Sequence, residues 1–301
     1  MLAMGIDVGG TNIRFGVFEN GNLVYTTRTE ANLSQHCQAA SAEAAALEVV
    51  GILLAEIVNV IEKYPNIQAV GIGFPGFIHP DSKKIIQSPN LPGLSYFDLR
   101  SDLMKILDLP VIIENDANAA AYGEYCLLGK PKTGLIYFGL GTGVGGGLIH
   151  ACKPFAGFHG CAMEVGHIIV EPNGRLCGCG NQGCMEQYAS ASGVTLSYAS
   201  QKLTAQQIAE LARKGDTEAQ AAYNKAGEAL AAALAHVLKV VDVPNVVIGG
   251  GVSGAWDLMQ VAFDAILNAD LIPVLRGKIK VTISTSGDQA GMLGAALLAS
   301  H

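Results

Sequence analysis

The residues best suited to chemistry stand in short polar runs that follow apolar segments. Asp116 is one of them: it follows the apolar run 110–113 and has Asn115 before it and Asn118 soon after it. A carboxylate at the end of a strand, opposite a phosphate-binding loop, is well placed to accept a proton from a hydroxyl group. Asn and Asp are equally typical of an Asx turn or a helix N-cap. Spacing alone favours neither interpretation.

Three glycine-rich turns each follow an apolar run: Gly9-Gly10-Thr11, Gly141-Thr142-Gly143 and Gly249-Gly250-Gly251. Glycine lets backbone N–H groups approach an anion closely, and a threonine hydroxyl adds a donor. Asp7, at the end of the first apolar run, is suited to holding Mg²⁺ through water. One such turn alone is most often a tight loop. Three of them, two with threonine, favour phosphate binding.

Two glycine runs, 71–76 and 141–146, fit the pattern G-x-G-x-x-G, and the second of them contains the turn Gly141-Thr142-Gly143. The dinucleotide-binding fingerprint requires a helix to begin inside that pattern. A poor helix start, Phe77-Ile78-His79-Pro80, follows the first run, and a β-rich segment follows the second. We therefore expect no dinucleotide site. The P-loop pattern G-x-x-x-x-G-K-[ST] does not occur in the sequence either.

A cluster of soft metal ligands follows in the loop-rich segment 152–190. Three of the seven cysteines, Cys177, Cys179 and Cys184, fall within eight residues, and His167 precedes them. One histidine and three cysteines form a complete tetrahedral set for zinc, which predicts a structural rather than a catalytic metal. Free thiols are the alternative. The remaining cysteines are interpreted as packing residues: Cys37, Cys126, Cys152 and Cys161.

The elements that must position these residues alternate between strands and helices. Strands are predicted at 3–8, 13–18, 22–27, 68–73, 110–113, 134–140, 148–151 and 246–248. Helices are predicted at 41–63, 119–127, 204–214, 216–241, 256–268 and 290–299. This order predicts an α/β fold. Because the sequence strand, glycine-rich turn with threonine, strand occurs twice, a duplicated nucleotide-binding unit is expected.

Length and composition set limits on organisation and function. The 301 residues suffice for two domains, and the 50% apolar content predicts large cores. We place a small N-terminal domain at 1–116 and a larger one with the cysteine loop at 117–288. The C-terminal helix, 289–301, is expected to pack back on the first domain.

The net charge of −7, without a Lys/Arg cluster, argues against nucleic-acid binding. Asp7 arrives before a signal-peptide core could form, and the apolar stretch 229–241 is too short to span a bilayer. We therefore expect a cytoplasmic protein that does not bind membranes.

Taken together, these motifs resemble the ROK family (repressors, open reading frames, kinases), and the resemblance covers nearly the whole chain. Its motifs lie at 7–11, 114–121, 140–147, 164–167, 177–186, 242–251 and 287–291. One departure is Asp288-Gln289, where many relatives carry two acidic residues. The resemblance implies an actin-like ATPase (ribonuclease H-like) fold, with two α/β domains and a cleft between them.

The resemblance also implies roles for individual residues. Asp116 would be the catalytic base, and zinc would bind His167, Cys177, Cys179 and Cys184. The implied sugar-binding residues are Gly76, Asn90, Asn115, Asp116, Glu164, His167 and Glu186. The implied nucleotide-binding residues are Asp7, Gly9, Gly10, Thr11, Asn12, Thr142, Gly143, Gly249, Gly250 and Gly251. His167 would serve twice, with one ring nitrogen on zinc and the other toward the sugar.

The implied activity is an ATP-dependent hexose kinase with Mg²⁺ and structural Zn²⁺, acting on O6 of a glucose-type sugar, in a homodimer. The run 110–118 resembles bacterial glucokinases, and the run 84–92 also resembles allose kinases. Kinases for N-acetylglucosamine and N-acetylmannosamine share the same catalytic set. A sugar-responsive repressor is the alternative of another class. Family repressors carry a helix-turn-helix domain before the first glycine motif, and we expect none because Asp7 follows only six residues.

Overall fold

The computed structural model describes residues 1–39, 41–198 and 202–300. Contacts between residues divide the chain into two units. The first unit contains Met1–Pro131, Gly147–Ala162 and Asp288–His301, and the second contains Lys132–Gly146 and Met163–Gly287. The sequence-based domain boundary near residue 116 stays a prediction.

The first unit is built on a five-stranded sheet with the order β3-β2-β1-β4-β8. Its strands are β1 (Leu2–Val8), β2 (Asn12–Glu19), β3 (Asn22–Glu30), β4 (Ala69–Phe74) and β8 (Val111–Asn115). β1, β4 and β8 are parallel, whereas β2 and β3 form an antiparallel hairpin beside β1. The three parallel strands therefore end at the same edge of the sheet.

In the described part of the chain, the helices of this unit are α1 (Leu33–Ala39), α2 (Ala42–Lys63), α3 (Leu99–Met104), α4 (Asp116–Leu127) and α10 (Gln289–Ala299). Side chains alternate between the two faces of β1. Met4 and Ile6 belong to the core that includes α2, whereas Ala3 packs with Met292 and Leu293 of α10. The sheet thus has a helix layer on each face.

α2 is long and apolar enough to cross a membrane when only its 22 residues and their composition are considered. One stripe of it is buried in the core, with residues Ala45, Val49, Leu53, Ile57 and Val60 at near four-residue spacing. A core helix has this pattern. The Ser41 side chain caps its N-terminus by accepting a hydrogen bond from Ala44 N.

α10 approaches the first sheet unusually closely because glycines face it. A Cβ atom on Gly71 would overlap the backbone carbonyl of Ala295, and one on Gly5 would overlap that of Met292. Only glycine allows a helix backbone to pack this near to a strand. α10 therefore rests on β1 and β4, as expected for the C-terminal helix.

A small antiparallel sheet follows β4 and consists of β5 (Phe77–Ile78), β6 (Ile85–Gln87) and β7 (Ser95–Phe97). Its first strand directly follows Gly76. The sheet is joined to the end of β4 by a hydrogen bond from Ser88 Oγ to the carbonyl of Pro75 at 2.5 Å. It was not predicted, because strands of two or three residues leave no periodic pattern.

A second five-stranded sheet has the order β11-β10-β9-β12-β13. Its strands are β9 (Leu135–Leu140), β10 (Val144–His150), β11 (Lys153–Pro154), β12 (Asn245–Gly249) and β13 (Lys280–Ile283). β9, β12 and β13 are parallel, and β10 pairs antiparallel with β11. The strand order repeats that of the first sheet, as the expected duplication requires.

The helices of the second unit are α5 (Glu186–Ala189), α6 (Ala191–Ser197), α7 (Ala205–Arg213), α8 (Thr217–Val241) and α9 (Trp256–Asp270). Thr204 and Gln207 form a capping box at the start of α7. Asp216 caps α8, whose buried stripe includes Leu230, Leu234 and Leu238. These three leucines place one face of that helix in the core.

Candidate active site

The register of the first sheet brings three chain segments together at one edge. Asp7 of β1 lies opposite Gly73 of β4, and Gly73 lies opposite Glu114 of β8. Because the three strands are parallel, the segments that follow them all leave the sheet there. The Gly9-Gly10 turn follows β1, the Gly76 turn follows β4, and the Asn115-Asp116 pair lies at the end of β8.

Asn115 and Asp116 lie side by side where β8 ends and α4 begins. Asn115 is the N-cap of α4, and its Oδ1 accepts a hydrogen bond from Asn118 N at 3.0 Å. Asp116 is the first residue of the helix. Its Oδ1 accepts from Ala117 N at 2.8 Å and from Asn115 Nδ2 at 3.0 Å. The cap residue therefore orients the carboxylate beside it.

Gly76 lies in the same cluster. Its carbonyl accepts a hydrogen bond from Asn115 Nδ2 at 3.0 Å. Its φ of 143° and the 2.5 Å from an added Cβ to the carbonyl of Gln87 make glycine necessary here. Asn90, another predicted sugar-binding residue, is exposed, and its carbonyl accepts from Ser34 Oγ at 3.0 Å.

Glu114 is a buried carboxylate directly before this pair. One of its oxygens accepts from Asn115 N at 3.1 Å and Asn118 Nδ2 at 3.2 Å, and the other pairs with Lys83 Nζ at 2.9 Å. A buried charge requires such partners. Lys83, in the turn between β5 and β6, therefore ties the small sheet to the end of β8.

Asp7 belongs to an ion-pair network at the same edge. Arg14 Nη1 lies 3.3 Å from Asp7 Oδ2, and Arg14 Nε lies 2.8 Å from Asp288 Oδ2. Burial raises the pKa of Asp7, Arg14 opposes that shift, and Asp288 adds to it. Two carboxylates thus share one guanidinium, and this excess of negative charge fits a divalent cation.

The loop Gly9–Asn12 leads from β1 to β2. Gly9 N donates to the carbonyl of Asn12 at 2.9 Å, and Asn12 Oδ1 accepts from Arg28 Nε at 2.9 Å. A Cβ on Gly10 would collide with Ser34 Oγ. Thr11 is exposed. The loop is therefore tightly held at its glycines and open to solvent at its hydroxyl, which suits an anion-binding turn.

In the second unit, the four predicted zinc ligands come together. The ligand atoms of His167, Cys177, Cys179 and Cys184 all lie within 4.8 Å of one another. The Sγ atoms of Cys179 and Cys184 are 3.6 Å apart, as are Cys177 Sγ and His167 Nδ1. Tetrahedral zinc with bonds of about 2.3 Å separates two sulfurs by about 3.8 Å. The donor set therefore fits zinc in number, chemistry and spacing.

His167 has its two ring nitrogens in different surroundings. Nδ1 is the nitrogen near Cys177, and Nε2 lies 3.9 Å from Glu164 Oε2. Burial raises the pKa of Glu164, while His167 lowers it and Glu186 raises it. One ring nitrogen thus lies in the cysteine cluster and the other faces the Glu164 carboxylate.

Glu186 begins α5, two residues after Cys184. Its Oε2 accepts a hydrogen bond from Val144 N at 2.9 Å. The predicted phosphate-binding residues Thr142 and Gly143 lie directly before Val144, in the turn between β9 and β10. The structure thus brings one predicted sugar ligand to the predicted phosphate loop, a contact that the motifs did not indicate.

The third glycine turn, Gly249–Gly251, follows β12, which pairs with β9 through Gly249 and Gly139. Gly250 has a φ of 82°, and a Cβ there would overlap the carbonyl of Leu140. The turn therefore lies against the strand end that leads into Gly141. The second and third glycine turns are therefore neighbours.

Several residues of these clusters were not singled out from the sequence: Arg14, Lys83 and Ser192. Lys83 Nζ donates to Glu114, which is 31 residues away in the chain. Ser192 Oγ donates to the carbonyl of Thr142, which is 50 residues away. Arg14 had a usable signal, since it follows Thr11 by three residues and alternation in a strand directs it to the same face as Asn12. Lys83 and Ser192 stand in no motif.

Comparison with known proteins places these features in a family. The sequence model of the ROK family matches residues 3–301 of this chain. Glucokinase from Streptomyces coelicolor is 33% identical over 325 residues, covering 99% of this chain and 97% of that protein. N-acetylmannosamine kinase from Yersinia pestis is 30% identical over 300 residues, covering 98% and 97%.

A solved structure is also similar to this chain over its whole length. The ROK family glucokinase from Streptomyces griseus, in complex with glucose and AMPPNP, superposes with a TM-score of 0.83 at 32% identity. The match covers 100% of this chain and 99% of that one. The present chain therefore belongs to the ROK family and has the actin-like ATPase fold of its members.

Proposed function

We propose that this protein is an ATP-dependent hexose kinase that transfers the γ-phosphoryl group of ATP to O6 of glucose. The observation that carries the proposal is the oriented Asp116 carboxylate at the strand edge where Asp7 and the Gly9–Asn12 loop also lie. Glucokinase relatives in sequence and structure support it. Phosphoryl transfer needs little covalent chemistry from the protein beyond positioning and charge stabilisation.

Asp116 is the proposed general base. Its Oδ1 is held by Ala117 N and Asn115 Nδ2, so the carboxylate has a fixed direction before substrate binds. A primary hydroxyl is the least hindered nucleophile of a hexose, which supports O6 as the acceptor. As phosphorus–oxygen bond formation advances, the hydroxyl proton passes to Asp116 and ADP leaves.

Glucose would be recognised by hydrogen bonds to its hydroxyl groups. In the first unit the proposed partners are Gly76, Asn90 and Asn115. In the second unit they are Glu164, His167 and Glu186. Carboxylates are acceptors, whereas an asparagine amide both donates and accepts. A site that pairs each hydroxyl rejects analogues that leave a buried partner unsatisfied.

ATP and Mg²⁺ would be held by the glycine turns and Asp7. Backbone N–H groups of Gly9–Asn12 and Thr142-Gly143 suit phosphate oxygens, and Gly249–Gly251 would border the adenosine. When bound, Mg²⁺ supplies charge stabilisation to the transferring phosphoryl group. The carboxylates of Asp7 and Asp288, which share the Arg14 guanidinium, form the environment that fits this ion.

Zinc has a proposed structural role. His167 and the three cysteines fill all four tetrahedral positions, which leaves no open position for substrate. Cys184 precedes Glu186 by two residues, so a metal bound there would fix the start of α5. The metal then acts by placing Glu186 and the His167 ring rather than by chemistry of its own.

The choice of sugar is tested by kcat/KM measured with a coupled ADP-release assay under one set of conditions. The panel is glucose, allose, mannose, fructose, N-acetylglucosamine and N-acetylmannosamine. Glucose is expected to give the highest value. Preference of tenfold or more for an N-acetylated sugar, about 1.4 kcal/mol of transition-state stabilisation, would refute glucose while retaining the kinase. The absence of hexose-dependent ADP release would refute the kinase itself.

We also propose a homodimer. The second unit has an apolar groove with a volume of about 480 Å³, and Val240 in it is 83% exposed. Exposed apolar surface of this kind is typical of contact with another protein, and we assign it to a second copy of this chain. Light scattering should give twice the chain mass of 31.3 kDa. A single-chain mass at micromolar concentration would contradict the proposal.

A further inference from the structure

The turn between β9 and β10, residues Gly141–Val144, is held by the segment that begins α5 and α6. Three hydrogen bonds connect them, all within the second unit. Val144 N donates to Glu186 Oε2 at 2.9 Å, Ala191 N donates to the carbonyl of Gly141 at 2.9 Å, and Ser192 Oγ donates to the carbonyl of Thr142 at 3.1 Å. Three of the four residues of the turn thus have a partner on the same segment.

The packing at this contact is as close as the hydrogen bonds suggest. A Cβ atom on Gly143 would lie 2.5 Å from Glu186 Oε2. The residue at this position must therefore be glycine for the Glu186 carboxylate to reach Val144 N. The turn and the Glu186 side chain therefore pack closely against each other.

The contact joins two groups with different proposed ligands. Thr142 and Gly143 are proposed to hold phosphates, and Glu186 is proposed to hold the sugar. Backbone donors bind an anion well only when their directions are fixed beforehand. One oxygen of Glu186 already accepts from the turn, and a sugar hydroxyl on the carboxylate would restrict its rotation further.

We propose that Ser192 is a positioning residue for the Gly141–Val144 turn, and that Glu186 couples sugar binding to nucleotide binding through Val144. This inference rests on the proposed function. A bound sugar restricts the Glu186 carboxylate and, through it, the turn. The nucleotide then loses less conformational entropy when it binds to the turn. By linkage, sugar tightens nucleotide binding and nucleotide tightens sugar binding by the same factor.

The first test removes the Ser192 hydroxyl. Ser192→Ala should raise KM for ATP about fivefold, the range of one neutral hydrogen bond, and leave the calorimetric Kd for glucose without nucleotide unchanged. Ser192→Thr keeps a hydroxyl and should restore the ATP KM. A wild-type ATP KM in Ser192→Ala, or an equal change in glucose Kd, would overturn the positioning role.

Thr195→Val is the matched control. Thr195 lies in the same helix, α6, and its Oγ1 donates to the carbonyl of Ala191 at 3.0 Å rather than to the turn. The control should therefore keep the wild-type KM for ATP. If it raises KM as much as Ser192→Ala does, general damage to α6 explains both variants and the inference fails.

The second test measures the coupling itself. The Kd of Mg²⁺-AMPPNP is determined by calorimetry with and without saturating glucose, in wild type and in Glu186→Gln. The ratio should be about fivefold or more in wild type, as typical couplings are, and close to one in the variant. Equal ratios in the two proteins would overturn the coupling. If wild type neither binds AMPPNP nor phosphorylates a hexose, the proposed function fails instead.

Discussion

Two hydrogen bonds from adjacent residues, Asn115 and Ala117, orient the Asp116 carboxylate. Asn115 serves as helix cap through its oxygen and as donor to Asp116 through its nitrogen. Asn is among the few residues that can do both, because its amide carries an acceptor and two donors. In the pair Asn115-Asp116 at the start of α4, the cap residue therefore positions the carboxylate that is proposed as the base.

Replacement of Asp116 by Asn tests the base directly. Asn keeps an oxygen that can accept from Ala117 N, so the melting temperature should stay near that of wild type. The variant cannot take a proton, so kcat should fall by about 10²–10⁴. Steady-state kinetics with a circular dichroism melt checks both. Near-normal turnover in the folded variant would show that another group is the base.

Zinc content gives a second test at the scale of single residues. Purified protein should contain about one zinc per chain, because the described residues bring together one set of four zinc-type ligands. Cys179→Ser should lose the metal and weaken glucose binding, since zinc fixes the segment before Glu186. Metal analysis and calorimetry measure the two effects. Cys161 was interpreted from the sequence as a packing residue, but it is exposed and lies outside the cluster. Cys161→Ser is therefore the control and should retain zinc. Full glucose affinity in zinc-free protein would contradict this role.

The sequence could predict those residues of the site that stand together in recognisable motifs. The zinc ligands are close together in the chain apart from His167, and their residue types alone limit the possibilities. Glu114-Lys83 and Ser192-Thr142 could not be predicted in this way. Each joins segments that meet only after the sheets have formed, and no spacing rule connects lysine or serine to such a partner.

At the scale of elements, the close packing of α10 on β4 gives a stability prediction. Gly71→Ala would place a Cβ against the carbonyl of Ala295, so helix and sheet must separate. We expect a loss of about 3 kcal/mol or more in the free energy of unfolding, the upper range for overpacking. Urea unfolding followed by circular dichroism measures it.

Gly51→Ala is the matched control for that substitution. Gly51 is an exposed residue inside α2, and a Cβ there would meet no atom within 4 Å. Because alanine favours helix over glycine, this variant should gain about 0.5–1 kcal/mol. If both variants lose the same stability, crowding at α10 is not the reason.

The N-cap of α8 predicts a pH dependence of stability. Hydrogen bonds from Ala219 N and from the Tyr198 hydroxyl hold the pKa of Asp216 below its ordinary value of 3.8. A carboxyl group with a lowered folded-state pKa stabilises the fold above its unfolded-state pKa. That contribution is lost as pH falls through the folded-state value. The loss should therefore begin near pH 4.

Asp216→Asn and Asp216→Ala separate the cap from its charge. Asn remains a good N-cap but does not titrate, so its melting temperature should approach that of wild type as pH falls from 7 to 3. Ala loses the cap at every pH and should melt about 2–4 °C lower, as loss of a typical cap gives in a protein of this size. A constant difference between wild type and Asp216→Asn at all pH values would contradict the assigned titration.

Long elements were predictable from the sequence and short ones were not. The predicted helices at 41–63 and 216–241 are confirmed as α2 and α8, because each repeats an apolar stripe over six turns or more. α1, α3, α5 and α6 have only four to seven residues. Such helices depend on caps and on tertiary contacts, which periodicity does not report.

At the scale of the whole molecule, the two five-stranded sheets share one strand order. Each places glycine-rich turns at the ends of parallel strands. The similarity between the two opening segments was visible in the sequence. The complete order was not, because β11 and β13 are too short or too irregular to be recognised.

The central claim, transfer of phosphate from ATP to O6 of glucose, is tested most directly by the product. Zinc-loaded protein is incubated with glucose, ATP and Mg²⁺, and the mixture is analysed by phosphorus NMR. We predict glucose 6-phosphate and ADP in equal amounts, with neither formed in the absence of protein. ADP accompanied only by inorganic phosphate, or no reaction with any hexose of the panel, would contradict the account.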